Sequence, residues 1–208
     1  MVDTPELICY RPTRGFVPIE WADGFRALRV PRKTRFYTGN HGVIDSCRND
    51  ACQIMLDTKA DKLLFLDDDT IPPADGYERL EKCLANGADI ASGLYWRRRP
   101  PLLIVPQKMQ DNNTPGLLSE LPKDSVLMLD RAGCGFLLIA RKVIETLKWP
   151  WFKYTQDNRD LPVEDRKSED FYFCDNARKA GLTLVVDTGC VCQHCGMGFV
   201  DDGIFRPL

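Results

Sequence analysis

Residues 62–73 read KLLFLDDDTIPP, an apolar run that ends on Asp67, Asp68 and Asp69 and then turns through two prolines. Three adjacent carboxylates repel one another, and at the rim of a core they lose the water that would screen them. Side chains alternate along a strand, so a strand through the triplet sets Asp67 and Asp69 to one side and Asp68 to the other. The pattern predicts a buried strand whose carboxyl end carries carboxylates to a sheet edge, and open α/β sheets bind their ligands at that edge. Hard oxygen ligands of this kind suit Mn²⁺ or Mg²⁺, and a divalent cation relieves the repulsion. The plainer alternative is a solvated acidic turn capping the next helix, but a cap needs one carboxylate and not three.

Around the triplet, strand and helix signals alternate. Apolar strands are expected at 6–10, 34–38, 62–66, 89–94, 126–130, 136–140 and 182–187. Helices are expected at 45–59, capped by Asp45; at 74–86, closed by Gly87; at 141–148; and at 168–180, capped by Ser168 and stopped by Gly181. Continuous apolar strands between helices predict an α/β fold with a mostly parallel central sheet covered by helices. Residues 97–125 and 153–167 break the rhythm as long polar, Pro- and Asn-containing segments, the kind of loop that carries function.

Bulk properties exclude several classes. A length of 208 residues fits one domain, 1–208, and a net charge of −2 gives no reason to expect nucleic acid or an anionic membrane as partner. The first ten residues, MVDTPELICY, lack the basic start and apolar core of a secretion signal, and no apolar run approaches a membrane span. A soluble, cytoplasmic protein is the expectation. Nine cysteines suit reduced core positions in such a compartment. Cys190, Cys192 and Cys195 with His194 also offer a structural zinc knuckle, although ligands so close in sequence rarely close a tetrahedron.

Two enzyme classes place Asp-x-Asp at a strand end. Haloacid-dehalogenase-type phosphatases use Asp-x-Asp-x-Thr/Val at the first strand; here Ile71 stands in the last position and two strand signals precede the motif. The chain instead resembles the family 2-like glycosyltransferases of the GT-A fold, in order and over nearly its whole length. The resemblance is carried by PTRG (12–15), SCRNDA (46–51), FLDDDTIPP (65–73), GADIASGLYWRRRPP (87–101), GCGFLLIARKV (133–143), SEDFYFCDNARKAGLTLVVDT (168–188) and CQHCG (192–196).

It implies a Rossmann-like GT-A domain whose half 1–93 binds the nucleotide and whose half 94–208 supplies the acceptor side. A nucleotide-diphospho-sugar donor and a glycan, lipid, protein or small-molecule acceptor are implied with it, along with Mn²⁺ or Mg²⁺. The resemblance implies that Thr13 and Arg14 hold the base, that Asp68 reaches the ribose, and that Gly133 and Gly135 lie beside the sugar. Asp67, Asp69 and His194 are the implied metal ligands. Arg48, or the run Arg97 to Arg99, offers forked donors to phosphate oxygens. Asp170 is the implied general base beside Glu169, at a helix start that lowers its pKa. A non-catalytic nucleotide- or zinc-binding module is the third alternative.

Overall fold

The structure, a computed structural model, describes residues 4–13, 15–39, 42–97, 104–110, 115–116, 121–162, 166–195, 198–201 and 204–207. The first half of the chain holds β1 (Leu7–Pro12), α1 (Ile19–Ala27), β2 (Thr34–Gly39), α2 (Ile44–Thr58), β3 (Lys62–Leu66), β4 (Thr70–Ile71), α3 (Gly76–Ala85) and β5 (Ile90–Leu94). There follow β6 (Lys108–Met109), β7 (Pro115–Gly116), β8 (Val126–Leu129), β9 (Phe136–Ala140), α4 (Arg141–Thr146) and α5 (Glu169–Lys179). The chain continues through β10 (Leu184–Val191), β11 (Gln193–Cys195), β12 (Gly198–Asp201) and β13 (Ile204–Pro207).

Seven strands form the main sheet in the order β2-β1-β3-β9-β5-β10-β8. Alternation along its central strands divides the apolar residues between two faces. Ile8, Tyr10, Leu63 and Phe65 join one buried cluster, beneath α2 and α5; Leu7, Cys9, Leu64 and Leu66 join the other, beneath α1 and α3. Burying each such leucine or phenylalanine contributes roughly 1.5–3 kcal/mol.

The sheet is mixed, which corrects the expectation of a mostly parallel one. β1 pairs in parallel with β2 and β3, and β5 with β10. But β9 runs antiparallel between β3 and β5, and β8 antiparallel against β10. The reason is physical: the apolar run FLLIA of β9 reports that helices cover both faces, and it carries no information about strand direction.

Local chemistry accounts for the helices. In α2, Cys47, Arg48, Ala51, Cys52 and Met55 share the buried face, and Lys59 closes the end in a left-handed conformation at φ 57°. Gly87 and Gly181 follow α3 and α5 at φ +100° and +75°, which glycine adopts without cost. Helix α1, absent from the expected elements, starts after Pro18 and buries Trp21. Among the described residues no helix is long and apolar enough to cross a membrane.

A second sheet, β13-β12-β11-β4, closes one end of the first. A register shift between Asp187 and Val191 breaks the pairing of β10 with β5 and turns the chain toward β11. There His194 lies opposite Thr70 and Gln193 opposite Ile71. The crossing needs close approach. A Cβ on Gly93 of β5 would stand 2.8 Å from Cys192 Sγ, 3.1 Å from the Cys190 carbonyl and 3.2 Å from Phe136. Gly93→Ala is therefore expected to destabilise the protein by roughly 1–3 kcal/mol, as overpacking of a full core does. Urea denaturation measures this, and an unchanged midpoint would show that the junction is slack.

Candidate active site

Strand β3 ends at Leu66, and the aspartates begin a turn. The Thr70 N–H donates to the Asp67 carbonyl at 3.2 Å, so Asp68 and Asp69 occupy the centre of a four-residue turn. The alternation expected of a strand therefore stops short of the triplet: Asp67 faces α2, and Asp69 faces β11. Main-chain bonds pin the turn on three sides. The Asp67 N–H donates to the Gly135 carbonyl at 2.9 Å, and the Cys195 N–H donates to the Asp69 carbonyl at 2.7 Å. The Trp21 indole donates to the Asp67 carbonyl at 2.8 Å.

Arg48 holds Asp67 from below. Its Nη1 and Nη2 donate to Asp67 Oδ1 and Oδ2 at 3.1 and 2.9 Å, and its Nε donates to Glu169 Oε1 at 3.1 Å. The guanidinium sits 5.0 Å over the Phe65 ring, and the residue is 2% exposed. Arg48 thus lies under the site rather than reaching into it toward phosphate oxygens. Burial pushes the Asp67 carboxyl up to about 6, against Arg48, with the charges of Asp69 and Glu169 adding to the rise.

Asp69 and His194 meet above. His194 Nε2 stands 3.6 Å from Asp69 Oδ1, while Nδ1 lies 2.7 Å from the Trp96 carbonyl. A carbonyl only accepts, so Nδ1 carries a proton, and Nε2 is the nitrogen that faces Asp69. This is how an imidazole is oriented for a metal. The ring also packs edge-on against Tyr95, centroids 5.4 Å apart.

Among the described residues no three His, Cys, Asp or Glu side chains form a metal-holding group. Of the expected Asp67, Asp69 and His194, the structure brings Asp69 and His194 together, while Arg48 engages both oxygens of Asp67. Two ligands still fit Mn²⁺ or Mg²⁺, which take only one or two carboxylates from protein where substrate phosphates supply the rest. Acidic groups gather here: Arg48 pairs with Asp67 and Glu169, the charge of Asp69 acts on Asp67, and that of Glu169 on Asp170.

Glu169 and Asp170 open α5. Ser168 stands at the cap position without capping a backbone N–H; its hydroxyl donates to Asp170 Oδ1, which also accepts from the Phe171 N–H at 2.8 Å. The helix start was expected to lower the Asp170 pKa. Instead burial raises it to about 6, helped by Glu169 and opposed by Ser168, Arg48 and the Phe171 N–H. Removal from water outweighs the dipole here, which makes Asp170 a better base at neutral pH than the helix start alone implies.

The remaining expected residues are scattered. Thr13 directly follows β1, its hydroxyl accepting from the Gly15 N–H at 3.1 Å. Asp68 is partly exposed on the turn. Arg14, Arg98 and Arg99 lie outside the described residues, and Arg97 is exposed. A Cβ on Gly133 would overlap the Tyr95 hydroxyl, and one on Gly135 would stand 2.6 Å from Thr70 Oγ1 and 3.1 Å from the Tyr95 ring. These glycines leave room for Tyr95. Cys190 and Cys192 are fully buried in the cluster under α3.

Sequence reasoning passed over Trp21, Tyr95 and the Trp96 carbonyl. The Tyr directly after β5 was the available signal for one of them; a carbonyl leaves no mark in side-chain identity.

No protein-family model matches the chain, and no curated protein matches it. Solved structures do. The chain is similar to A197 from STIV, with a TM-score of 0.66 at 20% identity, covering 92% of this chain and 86% of that one. It is also similar to GalNAc-T7, crystallised with UDP, GalNAc and Mn²⁺, with a TM-score of 0.59 at 10% identity. That match covers 93% of this chain and 44% of GalNAc-T7, so the chain spans less than half of that protein. At these identities the likeness is one of fold, and it supports a GT-A-like architecture.

The two neighbouring aspartates should respond oppositely to truncation. Asp67→Ala removes two of the three carboxylate bonds of the buried Arg48 and is expected to cost roughly 3 kcal/mol. Asp69→Ala removes a carboxylate whose charge opposes ionisation of Asp67, so the melting temperature should hold or rise. Calorimetry of both variants without added metal checks the contrast; equal losses would contradict it.

Proposed function

We propose that the chain is a metal-dependent glycosyltransferase that moves a sugar from a nucleotide-diphosphate donor to a hydroxyl acceptor. The observation that carries this is the meeting of Asp69 Oδ1 and His194 Nε2, 3.6 Å apart, at the carboxyl end of β3. Asp69 and His194 would hold a divalent cation there, and that cation would supply Lewis-acid neutralisation of the leaving diphosphate. Asp170 accepts the proton from the acceptor hydroxyl. Thr13 and Arg14, after β1, and Asp68, on the turn, are the residues offered to the nucleoside. Segments 97–125 and 153–167 are the acceptor loops.

The start of the second loop is tied to the site's own helix. The Trp151 and Phe152 N–H groups donate to Asn49 Oδ1, and Asn49 Nδ2 donates to the Phe152 carbonyl at 2.8 Å. Asp45 accepts from the Tyr154 N–H at 3.0 Å instead of capping α2. The aspartyl-phosphatase alternative is disfavoured, because the bidentate contact with Arg48 engages both oxygens of the required nucleophile, Asp67.

A panel of nucleoside diphosphates and their sugars, with and without Mn²⁺, tests the donor class by thermal shift. A ligand at a hundred times its Kd stabilises by about 2.7 kcal/mol. One base should give a Mn²⁺-dependent shift, and Asp69→Ala and His194→Ala should each abolish that dependence; an unchanged metal requirement in Asp69→Ala rules the site out.

The pH profile tests the base. With its carboxyl raised to about 6, Asp170 is ionised above that pH and protonated below. Turnover should therefore fall about tenfold per unit below pH 6. Asp170→Asn should lose roughly 10²–10⁴-fold at pH 7.5 and leave no limb near 6. A limb that survives this substitution belongs to another group.

A further inference from the structure

We propose that Arg48 is the positioning residue that holds the metal side and the base side of this site in one frame. The inference rests on the glycosyltransferase reading and adds a residue that touches neither metal nor substrate in it. One guanidinium bonds to both Asp67 oxygens and to Glu169 Oε1, at 2.9–3.1 Å. Asp67 opens the turn that presents Asp69, and Glu169 directly precedes Asp170. Two segments about a hundred positions apart in sequence thus share one rigid, forked cation, itself seated on the Phe65 ring. Arg48 is 2% exposed, so it has no route to solvent or ligand.

A lysine cannot reproduce this. Its ammonium is a point charge on a flexible stem, and it cannot chelate Asp67 and reach Glu169 in the same geometry. Arg79 provides a control of the same kind elsewhere: its Nε and Nη2 donate to the two Asp187 oxygens at 2.8 and 3.0 Å, away from the site.

The experiment measures Mn²⁺ binding by electron paramagnetic resonance in the presence of the nucleoside diphosphate identified above. Steady-state hydrolysis of the matching nucleotide sugar is followed in parallel. Arg48→Lys should weaken Mn²⁺ binding roughly 10–100-fold, the usual consequence of disturbing a group that orients a metal ligand. It should also lower kcat at saturating Mn²⁺, while Arg79→Lys, checked for folding by circular dichroism alongside it, moves neither. If Arg48→Lys fails to fold, Arg48→Gln, which keeps part of the donor set, replaces it under the same two readouts. Wild-type Mn²⁺ affinity in a folded Arg48 variant overturns the proposal. So does full recovery of kcat at saturating Mn²⁺, because Arg48 would then serve the metal side alone. If the wild type itself takes up no Mn²⁺ with any nucleotide, the glycosyltransferase reading fails first, and this proposal with it.

Discussion

A guanidinium buried between the end of β3 and the start of α5 is the contact on which the rest of the site depends. Removing an arginine from water is expensive, and the cost is offset only where carboxylates satisfy it with good geometry. Here Asp67 does so from one side and Glu169 from the other, with the Phe65 face beneath. The arrangement explains why two acidic clusters tolerate each other at close range. It also explains why Asp67, the first of three apparently equivalent aspartates, differs from the third: one is committed to the protein interior, and the other faces the small sheet.

That small sheet performs the second task of positioning. The strand pairing of β11 with β4 sets His194 opposite Thr70, one residue from Asp69, so the imidazole arrives by backbone register and not by loop conformation. The Trp96 carbonyl then fixes its tautomer, and Tyr95 fixes its plane. Side chains placed by regular elements and held by neighbours can keep a catalytic geometry before any ligand binds.

Much of this was legible in the residues. The apolar strand ending in aspartates, the amphipathic α3 with its terminal Gly87, and the acidic start of α5 all stand where pattern and capping placed them. Other features were not legible, for identifiable reasons. Apolar continuity in β9 says how deeply a strand is buried and nothing about which way it runs. Helix α1 follows Pro18 and contains Gly24, where a Cβ would stand 2.5 Å from the Ile71 side chain; both residues read as breakers in isolation. That Gly133 and Gly135 leave room for Tyr95 is a contact between segments about 40 positions apart, which local pattern does not reveal. The Asp170 pKa depended on a contest between dipole and desolvation, which only three-dimensional burial decides. Arg48 carried no sequence mark separating a phosphate-binding arginine from a buried one.

The union of β4 with β11 joins positions far apart along the polypeptide, and contacts of that span form late because the intervening chain must first be gathered. The strands β1 to β3 can therefore pair while the imidazole is still distant. An immature molecule of this kind carries its acidic turn exposed but without the nitrogen that completes it. The Asp69–His194 contact would then report on docking of β11 against β4, as a latch engaged at the end of assembly.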